Sequence, residues 1–205
     1  MKKKILCLLL CLFAFILTGC ENKKDAPHPI VTMSIKDYGD IKIELLPEYA
    51  YNTVANFVNL VENGFYDNNI INRVQKGFVI QGGGLKDPGY TIKGEFAMNG
   101  YDNDLSHTKG VISMARTSEM NSASGQFFIV LDDSAKYSLD GSYAGFGKVI
   151  EGLDIIESIE STEFKFDNVN APEGYGFLQK DEYITIEKAT VETDGYNWEV
   201  KKYWR

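Results

Sequence analysis

Cysteine is nearly absent from this 205-residue chain, and Cys7, Cys11 and Cys20 all fall within the first twenty residues. Downstream of them no disulfide framework can form and no thiol can act as a nucleophile. Histidine is scarcer still: His28 and His107 stand most of a domain apart, which excludes the close ligand spacing of a zinc site. Positive charge is in deficit, with 21 Lys and Arg against 29 Asp and Glu. Binding a phosphate backbone calls for a basic surface, so nucleic acid is not an expected partner. Long apolar runs are lacking too: Ile5 to Leu17 is the longest, short of the roughly 20 residues that cross a bilayer and without a basic flank beyond it.

What is present begins with MKKKILCLLLCLFAFILTGC, three lysines followed by that apolar run and a small-residue ending. This is the anatomy of a secretory leader. Leu17-Thr18-Gly19-Cys20 resembles the lipobox of bacterial lipoproteins, in which the cysteine is lipidated and becomes the mature N-terminus. The resemblance implies a signal peptide over residues 1–19 and an extracytoplasmic protein tethered to the bacterial cell membrane through lipid on Cys20. The leader takes three lysines and no acid with it, so 18 basic and 29 acidic residues remain and the net charge becomes −11. Glu21 to Pro29 is charged and proline-bearing without apolar periodicity, so residues 20–29 read as a lipidated cysteine and flexible linker.

A single domain is expected over residues 30–191. Ile30 to Ile35 and Ile41 to Leu45 partly alternate around the turn cluster Asp37-Tyr38-Gly39-Asp40, which predicts a β-hairpin. Val54, Phe57, Val58 and Val61 recur at helical spacing, with Asn52 as the expected cap and Gly64 as the stop. Strands are predicted over residues 70–74, 78–81, 110–115, 126–131, 145–149 and 183–191, and a second helix around Leu153, Ile156 and Ile159. Phe164 to Asp181 is rich in Asn, Pro and Gly and reads as an inserted loop. Residues 192–205 form a C-terminal extension, in which Tyr196, Trp198 and Val200 alternate with polar neighbours as an edge strand would. Many short strands with two helices argue for a mainly β fold, an antiparallel barrel or sandwich.

Several chemistries fail on spacing. Gly82, Gly83 and Gly84 neither precede a Lys-Ser/Thr pair nor open a helix, so they read as a turn or bulge at a strand end. Asp102-Asn103-Asp104 lacks the glycine and glutamate of a calcium loop. His107 beside Ser106 has no nucleophile elbow and no evident orienting acid, so it reads as a loop residue.

What remains is a set of residues without nucleophile, base or metal ligand. RVQKGFVIQGG (Arg73 to Gly83), GVISMAR (Gly110 to Arg116), SGQFFIVL (Ser124 to Leu131) and LDGSYAGFGKVIEG (Leu139 to Gly152) resemble, in order and spacing, the signature segments of cyclophilin-type peptidyl-prolyl cis-trans isomerases. The resemblance runs from about Val31 to Val191. It implies an eight-stranded antiparallel barrel capped by two α-helices, a peptide groove on its outer face, and no cofactor. Arg73 is implied as the catalytic cation. Phe78, Val79, Phe128 and Leu139 become walls of a proline pocket, with Met114 beside them and Tyr143 closing one side. Gln81 and Gln126 become polar contacts to the peptide, and the backbone around Ala115 and Arg116 a rail for the substrate chain. Proline-containing polypeptides that fold after export are the implied partners, and a monomer is the expected state.

Strict alternation sends Phe78 and Val79 to opposite faces of a strand, so one pocket can hold both only if the chain twists or bulges near Gly77. Well-known family members carry Trp, His and Asn where this chain has Ser138, Tyr143 and Arg116. The first difference implies weak cyclosporin binding, and the Arg116 side chain would suit an acidic neighbour of the proline. A proline-peptide binding module or chaperone with little turnover is the alternative reading. Arg73 argues against it, because a pure binding groove needs no cation at the prolyl nitrogen.

Overall fold

The first two apolar runs fold back on each other as their pattern predicts: β1 (Ile30–Ile35) pairs antiparallel with β2 (Gly39–Leu45). Val31, Met33 and Ile35 of β1 and Ile41, Ile43 and Leu45 of β2 face inward, with Val31 opposite Ile43 and Met33 opposite Ile41. The computed structural model describes residues 26–170 and 174–204, so the leader and Cys20 lie outside the described residues. The chain continues through α1 (Pro47–Glu62), β3 (Asn69–Gln75), β4 (Val79–Gly82), β5 (Tyr90–Thr91), β6 (Val111–Met114) and β7 (Phe127–Val130). After α2 (Lys136–Leu139) come β8 (Gly145–Glu151), α3 (Leu153–Ser161), β9 (Ile184–Glu192) and β10 (Tyr203–Trp204).

Eight strands close into a barrel in the order β1-β2-β8-β6-β7-β4-β3-β9, with β9 pairing back to β1 and every pairing antiparallel. Closure leaves the barrel without an unpaired edge. Helix α1 packs on β8 and β9, and α3 packs on β2 and β3. Inside, Phe57 of α1 meets Tyr66, Phe127 and Phe146 at centroid distances of 4.8, 5.8 and 5.1 Å. Such aromatic clusters bury large areas in the tilted geometries that rings prefer. Two helices were expected from periodicity; α2 is a third, a single turn too short to show one.

Helix α1 corrects the expected cap. It begins at Pro47 rather than after Asn52 and kinks at Ala50 (φ −157°, ψ 72°), so a second helical segment starts near Tyr51. Its free N–H groups are met from a distant loop. Glu95 accepts from the Asn52 backbone N–H at 3.1 Å and from the Thr53 backbone N–H and hydroxyl at 2.7 Å each. Asn52 instead ties down the C-terminal extension: its amide donates to Lys201 O at 3.2 Å and accepts the Lys201 N–H at 2.7 Å.

The extension turns Tyr196, Trp198 and Val200 inward as alternation predicts, but they lie across α1 rather than in a sheet. Asn59 donates to Trp198 O at 2.8 Å, and Tyr51 stacks near the Trp198 ring at 5.6 Å. Strand pairing comes later, where Tyr203 and Trp204 meet Thr91 and Tyr90.

Candidate active site

The hairpin of β3 and β4 sets the site, because its register places Arg73 opposite Gln81. Gly77 adopts a left-handed φ of 68°, and Phe78 lies in the turn, its N–H bonded to Gln75 O at 3.0 Å. Phe78 therefore precedes the strand and escapes its alternation. Val79 and Gln81 then share the outer face, while Ile80 enters the barrel core. A bulge falls between Ile71 and Arg73. Among the three glycines at the end of β4, Gly83 is the constrained one: its φ is 84° and an added Cβ would lie 2.5 Å from Gly125 O. The glycines thus serve chain geometry, as their lack of phosphate-loop partners predicts.

On the outer face Val79, Val111, Phe128, Val130, Ala135 and Leu139 form a small apolar cluster of their own, with Phe78, Leu105, Ala115 and Tyr143 packed against it. Above it opens a groove of about 420 Å³ lined by Arg73, Phe78, Gln81, Arg116, Phe128 and Tyr143, with Val79, Ala115 and Leu139 in its wall. Phe128 and Tyr143 meet edge to face at 5.5 Å. A neighbouring depression of about 400 Å³ shares Gln81, Ala115 and Arg116 and adds Gln126. The two glutamines are joined, Gln81 donating to Gln126 at 2.9 Å.

Met114 does not reach the groove. It is 1% exposed and belongs to the inner core, whereas its neighbour Ser113 faces outward. Strand alternation makes the two positions exclusive. Arg116 also differs from expectation: its guanidinium donates to Ser142 O at 3.0 and 2.9 Å and to Thr117 O at 2.9 Å, and lies over the rings of Phe96 (5.0 Å) and Tyr143 (4.7 Å). It braces the Tyr143 wall instead of reaching for an acidic neighbour of a ligand.

Arg73 is fixed by three acceptors. Nε donates to Tyr175 O at 2.7 Å, Nη1 to Gln81 at 3.2 Å, and Nη2 to Gln75. Three of the five donors of a guanidinium are thereby held, which leaves two for the groove. Burial lowers its pKa from the ordinary value, with the Tyr143 and Tyr175 phenols opposing the shift. No carboxylate pairs with it among the described residues.

Tyr175 and Phe177, within the segment whose composition reads as an inserted loop, also line the groove. The insert is partly sheet: Phe177 bridges Arg73, Val74 N–H donates to Gly176 O at 2.8 Å, and Leu178 N–H donates to Asn72 O at 3.0 Å. It pairs with β3 beyond the point where β9 leaves off. The aromatic pair flanking Gly176 and the apolar Leu178 are the sequence signal that could have marked this segment as packed.

Behind Phe128 lies a buried polar chain that sequence reading also missed. His107 is 1% exposed; its Nδ1 stands 2.8 Å from Asp140 and its Nε2 2.9 Å from the Ser113 hydroxyl. A carboxylate can only accept, so Nδ1 carries the proton and Nε2 accepts from Ser113. Asp140 is the orienting acid that the sequence did not reveal. The order of groups matches a hydrolase triad, but Ser113 is fully buried and no substrate carbonyl can reach it. The chain is structural, with His107 stacked on Phe128 at 6.1 Å.

Burial lowers the His107 pKa, with Asp140 opposing. For Asp140, burial alone would raise the carboxyl, but donors from His107 and Ser106 outweigh it and hold it below its ordinary value. The unfolded histidine therefore takes up a proton first, and stability is lost as pH falls through its unfolded pKa of about 6.5. The Asp140 contribution is lost at lower pH, below its unfolded value of about 3.9. Urea midpoints measured between about pH 7.5 and 5 should fall, and His107→Gln should flatten that slope; equal slopes would refute the assignment.

Comparison with known proteins agrees with this geometry. The model of the family "cyclophilin type peptidyl-prolyl cis-trans isomerase/CLD" matches residues 30–175. Peptidyl-prolyl cis-trans isomerase A of Dickeya dadantii is 39% identical over 140 residues, covering 66% of this chain and 72% of the relative. Peptidyl-prolyl cis-trans isomerase B of Escherichia coli is 38% identical over 132 residues, 60% of this chain and 80% of the relative. Among solved structures, a Cryptosporidium parvum cyclophilin-type isomerase crystallised in the presence of the dipeptide Ala-Pro aligns with a TM-score of 0.64 at 26% identity. That alignment covers 80% of this chain and 98% of the other. With the closed barrel, the outer groove and matches over most of the chain in agreement, this protein belongs to the cyclophilin-type peptidyl-prolyl cis-trans isomerases.

Proposed function

We propose that the outer groove holds Xaa-Pro segments of exported polypeptides and speeds their cis-trans exchange, with Arg73 as the catalytic cation. The observation that carries this reading is a guanidinium fixed by three acceptors at the rim of an apolar pocket, with donors to spare. Rotation about an amide has a barrier of about 18–20 kcal/mol, set by resonance between the nitrogen lone pair and the carbonyl. As the amide twists, the lone pair localises and becomes a hydrogen-bond acceptor. A guanidinium aimed at the prolyl nitrogen therefore binds the twisted state better than either planar isomer.

The other residues supply leverage. Phe78, Val79, Phe128, Leu139 and Tyr143 hold the pyrrolidine ring, Gln81 and Gln126 hold the flanking backbone, and the strand end at Ala115 and Arg116 aligns the chain. The step makes and breaks no bond and transfers no group, so it calls for no cofactor. The Ala-Pro dipeptide in whose presence the C. parvum relative was crystallised carries an Xaa-Pro bond of this class. The experiment is an NMR exchange assay of a proline tetrapeptide with the full chain. Binding without accelerated exchange would move the reading to a binding module.

The site of action rests on the leader. Leu17-Thr18-Gly19-Cys20 supports lipid attachment at Cys20 and work at the outer face of the bacterial cell membrane. The chain should fractionate with membranes, and intact-mass measurement should show an acylated N-terminal cysteine that Cys20→Ala abolishes. An unmodified Cys20 on membrane-bound protein would refute the anchor.

A further inference from the structure

We propose that Tyr175 and Phe177 form a subsite for the residue that follows the proline, one that favours a large apolar or aromatic side chain. This deepens the isomerase reading and rests on it. The groove crosses the barrel in strand order β6, β7, β4, β3. Ala115 and Arg116, directly after β6, stand at one end. Phe128 of β7, then Val79 and Gln81 of β4, fill the middle. Arg73 of β3 follows, and the insert paired with β3 stands at the far end.

Chain direction follows from proline itself. The residue before proline is pushed toward extended conformations by the ring, and an extended segment suits the strand end at Ala115 and Arg116. The residue after proline then leaves the pocket over the insert. There it meets aromatic surface: the Phe177 and Phe78 rings lie 5.4 and 6.0 Å from Arg73 Cζ, and Tyr175 is 53% exposed.

This surface is held in place. Tyr175 O is bonded to Arg73, and the next residues pair with β3 through Gly176 O and Leu178 N–H. Gly176 is what allows the approach, since its φ is 70° and an added Cβ would lie 2.4 Å from Val74 O. An exposed aromatic on a fixed backbone offers apolar area to a ligand at low ordering cost. A lysine or arginine at the same place meets the charge of Arg73 and is disfavoured.

The test uses the full chain and Ala-Ala-Pro-Xaa peptides with Xaa as Phe, Leu, Gly or Lys, followed by NMR exchange for turnover and by calorimetry for binding. Wild type should prefer Phe over Gly by about fivefold or more, and Tyr175→Ala or Phe177→Leu should cut that ratio to about twofold or less. Tyr175→Ala, at an exposed side chain, tests the idea without risk to the fold. Unchanged ratios in both variants, or a changed preference for the residue before proline instead, would overturn the subsite. If no peptide turns over, the calorimetric ratio decides: a Phe preference lost in the variants keeps the subsite while the isomerase reading falls.

Discussion

Arg73→Ala should lower kcat/KM for a proline peptide at least about tenfold, equivalent to ~1.4 kcal/mol of barrier, while the barrel stays folded. The loss should appear mainly in kcat, because the interaction removed forms with a lone pair that exists only in the twisted amide. Stability should change little. Tyr175 O, Gln81 and Gln75 lose a donor but line or border an open groove where water can replace it. Arg73→Lys should not restore turnover, since an ammonium is a point charge on a flexible stem and cannot engage three fixed acceptors while directing further donors at a substrate. Full turnover in a folded Arg73→Ala protein would falsify the mechanism.

What the sequence revealed of this site follows strand logic. Arg73 and Gln81 were legible together because they are partners in a local hairpin whose ends are eight residues apart. The β1–β2 hairpin was legible for the same reason, with alternation naming its inward face. Met114 was misplaced because β6 is buried on both faces, and an unbroken buried run gives no sign of which residue points inward. Tyr175, Phe177 and Asp140 were missed because their partners are distant: 102 residues separate Arg73 from Tyr175, and 33 separate His107 from Asp140. Loop composition says where a chain leaves regular structure. It does not say where the loop returns.

The same limit hid Glu95, whose substitution should have the largest effect on stability. Glu95 is 5% exposed and meets the Asn52 N–H, the Thr53 N–H, the Thr53 hydroxyl and the Tyr101 hydroxyl. Burial raises its pKa while these donors pull it back, and burial in turn pushes the Tyr101 phenol up to about 12. A carboxylate at the start of the second segment of α1 both satisfies free N–H groups and opposes the positive end of the helix dipole. Glu95→Ala removes one acceptor and strands several buried donors, each worth about 1–3 kcal/mol when left unpaired, so a loss of about 3 kcal/mol or more is expected. Glu95→Gln keeps one oxygen but points an amide N–H₂ at donors, and should cost roughly half as much. The C-terminal extension should loosen as well, since Asn52 and Asn59 hold it from the same helix. Urea denaturation gives the stability change, and amide exchange at Trp198 and Lys201 reports the extension. An Ala variant as stable as wild type, with that exchange unchanged, would show that α1 stands without its distant cap.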